Sequence, residues 1–151
     1  MMNEITTIQN AKVVAVCISE KKGTIKHPVE FVTLKENHGI IGDAHAGNWH
    51  RQVSLLANES VDKMRMKFPG IPVGAFAENI LTEGIEVCKL PIGTILQIGE
   101  VVLKVTQIGK ECHTDCAIRK QVGDCVMPRE GIFAVVLNGG TIRAGDSIIA
   151  L

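Results

Sequence analysis

Apolar residues in this chain fall into short runs separated by polar and glycine-rich stretches. Val13-Val14-Ala15-Val16-Cys17-Ile18 is a continuous apolar run of strand length, and Val29 to Leu34 alternates apolar with polar, the pattern of a half-buried strand. The polar stretch Lys21 to Lys26, with Gly23 inside it, reads as a turn, so the two strands are expected to be neighbours. Gly39 to Arg51 holds three glycines and no period and reads as a loop, and Gln52 to Leu56 as a short strand. A helix is expected from Asn58 or Glu59 through Lys67, stopped by Pro69-Gly70. Gly74 to Asn79 leads into a strand near Ile80.

From Leu90 to Gln107 the pattern is strongly β, with a hairpin of Ile95 to Ile98 and Val101 to Val105 around Gly99-Glu100. Asp115 to Val122, closed by Gly123, is a short helical candidate. Gly131 to Leu137 reads as a buried strand, Asn138-Gly139-Gly140 as a turn, and Ile142 with Gly145 to Ile149 as a last short strand. Many short strands at close spacing point to a mainly β fold, a barrel or sandwich, formed by one domain over residues 1–151. A βαβ arrangement needs regular amphipathic helices between strands, and only two short candidates exist.

Composition narrows the function classes. Sixteen basic residues balance sixteen acidic ones, and there are four Phe, one Trp and no Tyr. Neither a polyanion-binding face nor a base-stacking platform is indicated, so no nucleic-acid partner is expected. No apolar run is long enough to span a bilayer as a helix, and Met1 to Lys12 lacks an apolar signal region, so a cytoplasmic protein is expected. Five cysteines, an odd number, fit free thiols in a reducing compartment.

Cys112 is the residue most suited to chemistry. It follows a predicted strand and precedes a predicted helix, where unpaired amides favour thiolate, and Lys110 and His113 add positive charge nearby. Cys17 and Cys88 read as structural. Cys112, His113, Cys116 and Cys125 also allow a zinc reading, although their spacing is not that of paired knuckles. A second candidate is Gly42-Asp43-Ala44-His45-Ala46-Gly47 with His50 and Arg51. Its glycines permit close backbone approach to an anion, and its His and Arg can bind one. The same residues also suit an ordinary surface turn. In a third stretch, Gly74 to Asn79, a buried Glu78 or Asn79 would either bond a ligand or cap the next strand. Arg119 and Arg129 are further candidates for anion binding or for plain solvated charge.

These stretches, in this order, resemble the MOSC domain, the module named for the C-terminal part of molybdenum cofactor sulfurases. The matching pieces are Gly39 to Gly47, Gly74 to Ile80, the Leu90 to Gly99 region, Val105-Thr106-Gln107-Ile108-Gly109-Lys110-Glu111-Cys112, and Gly131 to Phe133 with Gly145-Asp146. The resemblance implies a β-barrel-like fold and an association with the molybdenum cofactor (molybdopterin). It assigns Cys112 either as a thiolate ligand to molybdenum or as a persulfide sulfur carrier without bound metal. The first role implies cofactor binding by Gly42, Asp43, His45, Gly47, His50, Arg51, Asn79 and Lys110. The second implies a sulfur-donor protein such as a cysteine desulfurase, because the chain is too short to include a pyridoxal-phosphate domain. A non-catalytic binding domain is the third possibility. Relatives carry Pro-Arg before the cysteine where this chain has Ile108-Gly109-Lys110-Glu111, so Lys110 replaces an arginine without its bidentate fork. Ala77-Glu78-Asn79 stands where relatives have Gly-Glu-Asn. Cys116, four residues after Cys112, would resolve an oxidised or persulfidated Cys112 as a disulfide.

Overall fold

A computed structural model describes residues 11–109 and 126–151. The predicted helix at Asp115 to Val122 lies outside the described residues, as do Lys110, Cys112, His113, Cys116, Arg119 and Cys125. In chain order the elements are β1 (Lys12–Ile18), β2 (His27–Val29), β3 (Phe31–Lys35), β4 (Gly39–Ile40), β5 (Val53–Ala57), α1 (Asn58–Arg65) and β6 (Ile80–Glu83). A single 3-10 turn follows at Val87–Lys89. The remaining elements are β7 (Ile95–Ile98), β8 (Val101–Ile108), α2 (Met127–Glu130), β9 (Ile132–Asn138), β10 (Gly140–Arg143) and β11 (Ile149–Ala150).

Eight strands form one strongly curled sheet in the order β11-β7-β8-β9-β5-β6-β1-β2, and β10-β3-β4 form a second, smaller sheet. The fold is mainly β and half-barrel in shape, as the spacing of short strands predicts. The inner faces of both sheets share one core, in which Val13, Val16, Val53, Leu55, Leu96, Leu103, Val105 and Ala134 meet Val32, Leu34, Ile40 and Ile142. A second cluster covers the outer face of the large sheet, where Leu56, Leu81 and Phe133 pack against Val61 and Met64 of α1, Phe76, and Met127 of α2. With both faces covered, the central strands need no polar side. That is why β5 is buried at every position and why β1 reads as a continuous apolar run.

The expected hairpin at residues 13–34 is half realised. β1 pairs antiparallel with β2, Cys17 opposite Pro28, but the alternating segment breaks at Glu30. Its second part, β3, joins the small sheet opposite β10. The turn reading of Lys21 to Lys26 is corrected at its end, because Lys26 is 1% exposed. The βαβ arrangement, for which helices looked too few, occurs once: β5 and β6 are parallel, Leu55 opposite Ile80, with α1 in the connection. The β7–β8 hairpin forms as expected, with Ile98 opposite Val101. The expected last strand divides: Ile142 lies in β10, opposite Val32 of β3 in the small sheet, and of Gly145 to Ile149 only Ile149 pairs, with Ala150, on β7.

Candidate functional site

The loop between β4 and β5 is built around a buried charge pair. Asp43 turns inward, and its Oδ1 lies 2.8 Å from Lys26 Nζ, both side chains having no exposed surface. Lys26 Nζ also lies 3.0 Å from Ser19 Oγ and 3.1 Å from His45 Nδ1. An ammonium has three N–H donors, and here three polar atoms lie within hydrogen-bond distance, Ser19 Oγ and Asp43 Oδ1 as acceptors and His45 Nδ1 as the third neighbour. Asp43 is equally engaged, since Oδ1 accepts the Ser19 amide at 3.1 Å and Oδ2 the His45 amide at 3.0 Å. Burial pulls the Lys26 ammonium below the usual lysine range despite the opposing pull of Asp43. Burial pushes the Asp43 carboxyl up, but the hydrogen bond and charge of Lys26, with the Ser19 and His45 amides, outweigh it and hold the group below the carboxylate range.

The β6 entry supports this pair from behind. Lys26 N donates to Gly74 O at 2.9 Å. Gly74 has φ +88°, and a Cβ there would lie 2.0 Å from Lys26 O, so only glycine lets the two segments meet. Buried Glu78 accepts the Gly74 and Phe76 amides at 2.7 and 3.1 Å, and its burial raises its pKa against those bonds. Asn79, fully buried, donates to Cys17 O at 3.1 Å and accepts from Ser54 N at 2.9 Å. Of the two roles open to the Gly74–Asn79 stretch, these bonds serve strand assembly. Ala77 takes φ +63°, a left-handed conformation that favours glycine. Cys17 is wholly buried beside this turn, and burial, then the charge of Glu78, pushes its thiol up to about 12.

Toward solvent the loop carries aromatic rings and cations. Trp49 donates its indole N–H to His45 O at 2.8 Å and lies parallel to the His45 ring. The Arg51 guanidinium lies 4.6 Å from the Trp49 ring centre and 5.6 Å from that of Phe133, and Lys22 Nζ lies 4.8 Å from Trp49. Arg51 Nε is buried and has no hydrogen-bond acceptor among the described residues. His50, 57 residues away from Gln107 in sequence, donates from Nε2 to its Oε1 at 2.8 Å, while Thr106 Oγ1 donates to His50 O. Gln107 Nε2 in turn donates to Gly109 O at 2.7 Å. The fold therefore seats the Gly42–Arg51 loop against the end of β8.

Of the sequence-predicted residues, Gly42, Asp43, His45, Gly47, His50 and Arg51 share this loop, while Asn79 stands behind it in the scaffold. Lys110 and Cys112 lie outside the described residues. Among the described residues no group of three or more His, Cys, Asp or Glu side chains could hold a metal. Two surface clefts lie elsewhere. One is beside Glu100, Arg143 and Asp146, the other between α1 and Cys88. Sequence reasoning missed Lys26, Ser19, Lys22, Trp49, Gln107 and Phe133. Only Gln107 carried a signal, a long polar side chain ending a strand just before the cysteine segment.

The family model of the MOSC domain matches residues 42–149. The chain belongs to the MOSC domain family. That family is associated with molybdenum cofactor sulfurase and with binding of the cofactor. No curated protein matches the chain. Among solved structures, YuaD from Bacillus subtilis superposes with a TM-score of 0.78 at 18% identity, covering 93% of this chain and 94% of that one. YiiM from Geobacillus stearothermophilus gives 0.71 at 19% identity over 93% and 75% of the two chains. YiiM from Escherichia coli gives 0.67 at 18% identity over 93% and 69%. At such identities the likeness is one of fold, and this MOSC domain shares it nearly end to end with YuaD. Among the described residues no helix is long and apolar enough to cross a membrane.

Proposed function

We propose that the mouth between the Gly42–Arg51 loop and the end of β8 binds the anionic part of the molybdenum cofactor, with Cys112 as the thiolate ligand to the metal. The observation that carries this reading is the Nε of Arg51, buried and unpartnered among the described residues. A buried N–H donor without an acceptor is costly, and an anion bound there would satisfy it. Lys22 across the Trp49 ring adds positive charge to the same mouth. Cys112 follows Gly109 by three residues, a tether of at most about 11 Å. The donor set therefore fits an anionic group with a soft metal centre beside it, since thiolate is the ligand such a metal prefers. Bound there, the cofactor would supply redox chemistry at molybdenum. The chain's own residues would hold it: Arg51, His50, His45 and Lys110 by charge and hydrogen bonds, Gly42 and Gly47 by letting the backbone come close.

The test is molybdenum and sulfur analysis of protein purified anaerobically, in parallel with Cys112→Ser and Arg51→Ala. Near-stoichiometric molybdenum in the unaltered protein, lost in Cys112→Ser with the fold intact and reduced in Arg51→Ala, is the expected result. Absence of molybdenum, with one added sulfur on Cys112 after incubation with a cysteine desulfurase, would overturn it in favour of a persulfide carrier.

A further inference from the structure

The end of β8 is shaped around one side chain. Where β8 pairs with β9, Val105 lies opposite Ala134 and Gln107 opposite Phe133, so Thr106 is an extra residue and the strand bulges there. A bulge re-aims neighbouring side chains, and here the Gln107 amide spans two segments. Its Nε2 donates to Gly109 O at 2.7 Å, and its Oε1 accepts from His50 Nε2 at 2.8 Å. The orientation of the amide is fixed: a carbonyl oxygen only accepts, so Gly109 O faces the nitrogen and Oε1 is left for His50. Gly109 is a firm anchor. Its N–H donates to Gly131 O at 2.7 Å, and a Cβ at this position would lie 2.4 Å from Pro128 O. Thr106 Oγ1 donates to His50 O, so both the ring and the carbonyl of His50 are tied to β8. Arg51 is the next residue. Its guanidinium rests on the Trp49 and Phe133 rings, and its buried Nε has no acceptor among the described residues, so the backbone at His50 decides where it stands.

We propose that Gln107 is a positioning residue that pins the end of the Gly42–Arg51 loop to β8 and so holds Arg51 where an oxyanion is bound. It acts through His50. The Gln107–His50 bond is exposed, and such a bond adds little to the stability of the whole fold, so its consequence is local to the loop. The oxyanion rests on the anion-site reading above, whereas the tie between β8 and the loop does not.

The experiment has two arms. Trp49 is the single tryptophan, and its indole N–H donates to His45 O within the loop, so exchange of that proton with solvent, followed by NMR, reports how often the loop opens. Gln107→Met keeps the length of the side chain and removes both hydrogen bonds. It should speed the exchange about 3- to 10-fold while leaving the urea midpoint nearly unchanged. Gln107→Asn, one methylene too short to span the two segments, should do the same. In a His50→Leu background Gln107→Met should add little, because the bond is already gone. Unchanged exchange in Gln107→Met, or full acceleration in the His50→Leu background, would overturn the tie. The second arm titrates inorganic phosphate against chloride at equal ionic strength, read by Trp49 fluorescence. Gln107→Met should raise the apparent Kd about 3- to 10-fold, and should change nothing further in Arg51→Ala. Faster exchange with an unchanged Kd would overturn the positioning of Arg51. Phosphate that fails to bind the unaltered protein would overturn the anion-site reading and the positioning role that rests on it, with the exchange arm still deciding the tie.

Discussion

Replacing Lys26 by methionine tests the buried pair at its centre. The substitution keeps the length of the apolar stem and removes the ammonium with its hydrogen bonds to Ser19 and Asp43 and its contact with His45 Nδ1. Asp43 stays behind with no exposed surface, keeping among the described residues the amides of Ser19 and His45 as its hydrogen-bond donors. Breaking a buried pair by deleting one partner costs about 3–5 kcal/mol, because a desolvated charge is left uncompensated. Ser19 Oγ loses a donor and His45 Nδ1 a neighbour as well, but those losses belong to the same event and are not added. Urea unfolding at neutral pH, followed by far-UV circular dichroism and by the single tryptophan, measures the whole fold and the loop separately, since Trp49 sits on the loop. The pH dependence has a definite sign. Asp43 has a depressed folded pKa, so its contribution is fully present above its unfolded value of about 3.9 and is lost as pH falls through the lower folded value. Lys26→Met lacks that contribution, so the gap between the two proteins narrows as pH falls below about 4. A loss under about 1 kcal/mol, the size expected of a solvated surface pair, would refute the reasoning. So would a gap that widened on acidification.

Adding Asp43→Asn to Lys26→Met removes the stranded charge and should recover at least about 1 kcal/mol in the same urea assay. Gly74→Ala and Gly42→Ala share a positive φ, +88° and +89°, but only the first meets backbone, so thermal unfolding should show Gly74→Ala costing about 3 kcal/mol or more and Gly42→Ala about 1–2 kcal/mol. Thiol titration at mildly alkaline pH should leave Cys17 unmodified until the protein unfolds, because its thiol stays protonated until about pH 12, whereas the partly exposed Cys88 should react in the native state. Arg51→Lys keeps the charge but loses the planar contact with Trp49 and Phe133. Its molybdenum content should fall toward that of Arg51→Ala, with a stability change near 1 kcal/mol or less.

The alternation and turn residues of single segments were enough to give β1, the β7–β8 hairpin, β9 and α1, because each depends on neighbours within a few residues. The ordered motifs likewise pointed to the MOSC domain and to Cys112 and the Gly42–Arg51 loop as the places to look. What the sequence could not determine was which strands share a sheet. The break at Glu30 that sends β3 to the small sheet, and the parallel pairing of β5 with β6, are decided by contacts between distant segments. Lys26 shows the same limit at the site. Next to Gly23 and His27 it looks like any solvated turn residue, and only the folded chain brings Asp43, Ser19 and His45 to its ammonium, from 17, 7 and 19 residues away. Burial makes such a lysine tolerable only when every acceptor is in place, so its role exists in the tertiary structure alone.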